Sequence, residues 1–255
     1  MNIFRASTKA ISAIQLLALI TAVGGIGLIF AGLLPFSGWW LLLAFVSYNL
    51  YSAAGISMMY HRYWTHKSFE FKYDWMKWPF TMLACLVGKG SPLAWVYVHR
   101  LHHANADTED DPHSPHYGGF RVMGFKSINL EKLKVFIVRD MLNKQQKFLN
   151  DWYVAFIIAW ALLLLAISPA VFYFAWVLPV SVLQISQDLF NYFAHTHGYR
   201  NHETKDTSTN NPWLWPLILG EAWHNNHHAS PKSPRFGEKK WELDPVTKLI
   251  NLLKK

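Results

Sequence analysis

Three stretches without a charged residue constrain this chain more than any other feature. They cover residues 11–34, 39–59 and 152–187, or 24, 21 and 36 residues. A bilayer core ~30 Å thick needs about 20 helical residues, so each of the first two can span it as one helix. The third would overshoot. Ser168-Pro169 breaks it near its middle, because proline removes a donor and clashes with the preceding turn. Spans over 152–168 and 169–187 result, with Pro179 placed to kink the latter. The linker 35–38 is too short to cross anything, so the first two spans form a hairpin, and the last two form another. A secretory signal competes for 11–34, since Arg5 and Lys9 precede it. The run is longer than a signal core and a second span follows at once, which favours an anchor. Gly24, Gly25 and Gly27 would let another helix approach closely. The apolar run 78–88 has only 11 residues and suits a buried or interfacial segment.

The expected fold is therefore an all-α integral membrane protein, a single domain over 1–255. Four transmembrane helices in two hairpins leave 60–151 and 195–255 as a helical cytoplasmic cap. All 24 Lys and Arg fall on the side of that cap and the termini, which the positive-inside bias makes cytoplasmic. The bacterial plasma membrane is the expected location, ahead of the endoplasmic reticulum. Net charge is +8, but this layout points to a membrane surface and membrane lipids as partners, not nucleic acid. Residues 120–150 mix apolar and basic side chains, as in an amphipathic surface helix or a packing helix of the cap. The one cysteine, Cys85, excludes an internal disulfide and argues against a thiolate metal cluster.

Thirteen histidines are present, and most are grouped. His61 and His66 stand in HRYWTH, His99, His102 and His103 in HRLHH, and His224, His227 and His228 in HNNHH. Positions i, i+3 and i+4 share a helix face. Three imidazoles there repel one another if protonated, and a shared metal relieves that by favouring the neutral ring. His61 and His66, five apart, diverge by about 140° on a straight α-helix. Either the helix ends between them or they serve different metals.

With His195, four residues after Asn191, the candidate ligands number nine. A structural zinc takes about four, so nine imply two metals. Imidazole suits Fe, Zn, Cu and Ni alike; the higher coordination number favours iron. Asn191 could reach a metal through water. His113, His116, His197 and His202 read as structural, the first two in a loop. Ligating rings usually donate their other N–H to a carboxylate or carbonyl. Glu221, three residues before His224, is a candidate acceptor, as are Asp107, Glu109, Asp110 and Asp111 after HRLHH.

At these residues the sequence resembles the membrane fatty acid desaturases, in particular the Δ9 acyl-CoA and acyl-lipid branch that includes the stearoyl-CoA desaturases. HRYWTH, HRLHH and HNNHH match its three boxes, and Asn191 and His195 in NYFAH match its Asn-x-x-x-His element. DTEDDPHS and GEAWHNNHH resemble the branch as well. The resemblance implies two iron ions on His61, His66, His99, His102, His103, His195, His224, His227 and His228, with Asn191 acting through water. It implies oxygen-dependent formation of a cis double bond, at Δ9, in a saturated acyl chain carried by CoA or a lipid. No catalytic residue apart from the ligands is implied. Two electrons come from outside. No His-Pro-Gly-Gly element follows HNNHH, so a separate ferredoxin, rubredoxin or cytochrome donor with its reductase is expected. Arg121, Lys126 and Lys132 could meet a carrier headgroup, although positive-inside bias accounts for them more readily. Phe45 or Asn49 could close the far end of an acyl tunnel. The alternatives are a di-iron lipid or alkane hydroxylase, a zinc lipid hydrolase working without electrons, and a metal transporter. Transport sites use ionisable groups within spans, which these spans almost entirely lack.

Overall fold

The computed structural model describes residues 5–118 and 135–255. Helix α1, Thr8–Phe30, starts where the Ser7 hydroxyl accepts the Ala10 amide at 3.2 Å. It ends four residues earlier than the charge-free run, in a turn with Gly32 at φ +71°. Its side chains face outwards: Leu17, Ile20 and Val23 are each more than half exposed. Such a surface suits lipid. Of its three glycines, Gly25 alone is closely packed. A Cβ there would fall inside the Tyr173 ring, whereas Gly24 and Gly27 face open space.

The second span, α2, is continuous over Gly38–Thr65. Its 28 residues extend roughly 40 Å, more than a ~30 Å core needs. The helix is π-helical from Leu50 to Thr65. Helix α3, Lys77–Cys85, is the short apolar segment, and it packs so closely on α2 that Gly55 faces the Ala84 backbone. It buries one side, through Thr81, Ala84 and Cys85, and is too short to span. Helix α4, Pro92–Asn105, begins at Ser91, whose hydroxyl accepts from the Ala94 amide, and carries HRLHH.

Arg121, Lys126 and Lys132 lie outside the described residues. The described part of the expected amphipathic helix is broken in two. A 3₁₀ segment, Val135–Met141, is interrupted at Val138, and α5 covers Lys144–Asp151. Val138, Met141 and Leu149 turn inwards while Phe136, Leu142 and Phe148 are exposed. Helix α6, Tyr153–Ile167, follows at a 63° bend. The break at Ser168-Pro169 is where the sequence puts it: the Ser168 hydroxyl caps the next helix through the Val171 amide, and Pro169 takes the first position. Helix α7 runs over Pro169–Phe193. Its π turns at Tyr173–Val177 lie directly before Pro179, where an i→i−4 bond is missing. Three described helices, α1, α2 and α7, are long and apolar enough to cross a membrane; α5 with α6 would make a bent fourth.

Phe45 does not fit a tunnel end. It points outwards at 66% exposure, and the Asn49 amide donates to the Phe45 carbonyl at 2.8 Å. The remaining chain folds against the C-terminal ends of α2 and α7. Helix α8, His224–Ala229, carries HNNHH, and α9, Pro245–Leu253, packs beneath α2.

Candidate metal centre

The nine predicted histidines converge into two adjacent groups. His61, His66, His99, His103 and His227 form one; His102, His195, His224 and His228 form the other. Within each group the ring nitrogens lie within 4.8 Å of one another. Nitrogens about 2.1 Å from a common ion are necessarily at most about 4.2 Å apart, so a modest contraction brings each group onto one ion.

His61 and His66 meet because of the π turns. The His66 amide donates to the His61 carbonyl at 3.2 Å, an i→i+5 bond that places residues five apart one turn from each other. Their ring centroids are 5.0 Å apart. The 140° divergence expected from an α-helix does not occur, and the two rings join one group.

The H-x-x-H-H boxes behave differently from the expected single shared metal. On α4, His99 and His103 enter the five-ring group while His102 enters the four-ring group. On α8, His224 and His228 stay together while His227 crosses over. Successive α-helical residues are about 100° apart, which separates i+3 from i+4 while i and i+4 stay aligned. Each box therefore bridges both groups.

Carboxylates set the tautomers. Nδ1 of His102 donates to Asp111 at 2.9 Å, His195 to Asp107 at 3.1 Å and His228 to Asp206 at 2.8 Å. In the other group His61 Nδ1 donates to Glu221 at 2.5 Å. A neutral ring has one proton, so these four rings present bare Nε2 atoms inwards. His228 Nε2 is buried without a partner among the described residues, as is His66 Nε2. His227 Nε2 lies 2.9 Å from His61 Nε2 and 3.0 Å from His103 Nε2, which is 3.1 Å from His99 Nε2. One proton on His227 cannot point along both contacts. Converging lone pairs of this kind fit a cation in each group.

The electrostatics agree. Burial holds His66, His99, His103, His224 and His227 well below the ordinary imidazole range, with mutual repulsion adding to it. His228 is lowered to about 4 by burial, against the pull of Asp206. These rings are neutral at neutral pH, the form that binds metal. Burial pushes the Asp107 and Asp206 carboxyls up, but hydrogen bonds from their histidines and nearby Thr and Ser groups outweigh it and keep both ionised.

Some partners differ from expectation. Glu221 serves His61, not His224, and also accepts from Ser57 and from Arg62 Nη1 at 3.1 Å. His224 Nδ1 has no partner among the described residues. Glu109 and Asp110 are exposed and play no part in these contacts. His113, His116, His197 and His202 stay outside both groups, although the His113 ring is 5.7 Å from His102. Asn191 sits on the last turn of α7, next to the segment that carries His195.

Sequence reasoning missed three supports. Asp206 stands 22 residues before the ring it orients and shows no periodic cue. Arg62, fully buried inside HRYWTH, lies over the Phe236 ring at 3.7 Å and binds Asp244 at 3.0 Å, tying α9 to the site. Asn226, inside HNNHH, uses its whole amide on Asn201, Asn210, Glu242 and the Phe236 carbonyl. A charged residue within a histidine motif could have flagged Arg62; the others are visible only through the fold.

The fold and site define a class: a helical protein with long apolar helices and a histidine-rich centre suited to two metals. The particular family follows from comparison. The fatty acid desaturase family profile matches residues 37–237. The sn-1 stearoyl-lipid 9-desaturase of Anabaena variabilis is 31% identical over 83% of this chain and 79% of its own length. Delta-9 acyl-lipid desaturase 1 of Arabidopsis thaliana is 31% identical over 87% and 75%. The chloroplastic palmitoyl-monogalactosyldiacylglycerol delta-7 desaturase of the same plant is 33% identical over 87% and 62%. The chain belongs to the fatty acid desaturase family and is an oxidoreductase of lipid metabolism.

Proposed function

We propose that this protein introduces a cis double bond, at Δ9, into a saturated acyl chain, using O2, two iron ions and electrons from a separate carrier protein. One observation supports this most: nine inward-facing imidazoles divide five and four between adjacent groups. That donor set exceeds what a single hydrolytic zinc uses. The bound iron pair would supply the activation of O2 and the removal of two hydrogens from adjacent carbons.

The chain's own residues do the rest. Asp107, Asp111, Asp206 and Glu221 hold four rings in the tautomer that presents Nε2. Asn191 would complete the smaller group through water. The long apolar helices would keep the acyl chain out of water while the site, at the C-terminal end of α2, would receive one C–C bond in a fixed position, and such positioning lowers the barrier. The cap would face the cytoplasm, and the substrate carrier would be CoA or a glycerolipid. The lipid reading has the support of relatives named as lipid desaturases.

Gas chromatography with mass spectrometry of fatty acids from expressing cells tests this. New monoenes with the double bond at carbon 9 are expected, and none from a His102→Ala form. Hydroxylated lipids without alkenes would instead establish the hydroxylase reading, and product formed without O2 would establish a hydrolase. A double bond at carbon 7, as in the name of one relative, would correct the position alone.

A further inference from the structure

Carrying O2 to two waters takes four electrons and four protons. The two C–H bonds of the substrate supply two of each, so two electrons and two protons enter from outside. The metal-binding rings are largely buried, and those electrons have to cross protein. One surface position combines an inward aromatic path with a matching charge. Trp241 is 52% exposed. Its ring stands edge-on to that of Trp223, with centroids 5.4 Å apart and planes at 86°. Trp223 is 2% exposed and adjoins His224 in the chain. Its carbonyl also accepts the His227 amide at 3.1 Å. Two indoles therefore lead from solvent to the backbone that carries one ring of each histidine group, His224 and His227.

The exposed charge beside Trp241 is positive on balance, two lysines against Glu238. Lys239 Nζ lies 5.8 Å from its ring centroid, and Lys240 beside it is exposed. The Glu242 and Asp244 carboxylates are turned inwards. Glu242 is buried and accepts from Tyr199, Asn201, Asn226 and two backbone amides. Glu238 accepts from His202 at 2.8 Å. The Trp223 indole N–H donates to the Leu243 carbonyl at 2.9 Å, which fixes the inner ring against the loop that carries the outer one. An exposed aromatic framed by lysines suits a protein surface that is acidic around an exposed redox group.

We propose that Trp241, with Lys239 and Lys240, is the docking point of an acidic one-electron carrier protein, and that the Trp241–Trp223 pair is the route inwards. This rests on the iron-dependent reading above. At each transfer the reduced carrier would lose one electron, which iron held by the two histidine groups would take up, and two transfers would supply one turnover. No covalent bond forms or breaks, and the lysines contribute only docking charge.

The test uses the full chain in zwitterionic nanodiscs, with a plant-type [2Fe–2S] ferredoxin as the probe. In biolayer interferometry at low salt, Lys239→Glu combined with Lys240→Glu is expected to weaken ferredoxin binding at least about tenfold and flatten its salt dependence. In anaerobic stopped flow of the iron-loaded protein, Trp241→Leu is expected to slow reduction by ferredoxin about tenfold or more while reduction by dithionite is unchanged; Trp241→Phe should recover part of the rate. Wild-type ferredoxin binding by the lysine variant would overturn the docking site. A wild-type ferredoxin reduction rate in Trp241→Leu would overturn the route. Loss of binding to anionic vesicles, with ferredoxin binding intact, would make this a membrane contact and overturn the proposal. Wild-type protein that dithionite cannot reduce would overturn the iron reading itself, and the route with it, whereas the binding measurement stands apart from that reading.

Discussion

The two histidine groups are adjacent and chemically alike, yet they are held in different ways. In the four-ring group, His102, His195 and His228 each donate Nδ1–H to an aspartate supplied by a loop. In the five-ring group His61 alone has a carboxylate among the described residues, Glu221. Its other rings rely on helix geometry and packing. His66 is brought in by the π turn, His99 stacks on Trp95 at 4.7 Å, and His227 lies 4.4 Å from the Phe236 ring. Hydrogen bonds orient one group, and hydrophobic contact orients most of the other. The first should respond to single-atom changes in carboxylates and the second to changes of shape.

The largest expected effect comes from the ligands themselves. His224→Ala and His227→Ala alter one short helix but empty a place in different groups. Each is expected to cut desaturation by more than about a hundredfold, beyond the loss usual for partners of ligands. Elemental analysis should show each variant losing about one iron per chain. Loss of both irons from either variant would mean that the two groups form one cooperative site. Next is Arg62→Leu, which leaves Glu221 and Asp244 buried without their common cation. A loss of about 3–5 kcal/mol in folding stability is expected, measured by thermal or denaturant unfolding in detergent.

The comparison is sharpest in a paired experiment. Asp206→Asn should lower metal affinity by about 10–100-fold, because His228 loses its charged acceptor. Trp95→Leu should cost the five-ring group about 0.5–1.5 kcal/mol, a factor of about two to ten, from lost ring contact. Chelator competition measures both, and equal effects would break the distinction. The smallest effect is at Asp140, which accepts from Arg100 and Lys67 where α4 meets the end of α2. Although burial pushes this carboxyl up, its two cations bring it down to about 2. A depressed carboxyl stabilises the fold above its ordinary value near 3.8, and that contribution fades as pH falls through about 2. Asp140→Asn should therefore lower stability by at most about 1 kcal/mol at neutral pH, since the pair is partly exposed. The difference from wild type should disappear in acid.

Much of the architecture was legible because its causes are local. Uncharged length specified α1 and α2, and Ser168-Pro169 specified the break between α6 and α7, since a bilayer and a missing amide act on adjacent residues. The clustered histidines and His195 were legible through residue type and number. Their division was not. A π turn cannot be read from the spacing of His61 and His66, and the parting of His102 from His103 depends on where α8 and the end of α7 lie across the site. Phe45 was misjudged for a similar reason: its place within an apolar run does not reveal which way it faces.

Composition and spacing by themselves determined that this chain has helices apolar enough to cross a membrane and a set of histidines suited to metal. Only the tertiary structure decided which ring joins which group, which carboxylate orients it, and that Arg62 ties α9 beneath the centre. The physical reason is reach. Hydrophobic length and helical period act over a few residues, whereas Asp107 meets His195 across 88 residues and Glu221 meets His61 across 160, through contacts that exist only once the helices are packed.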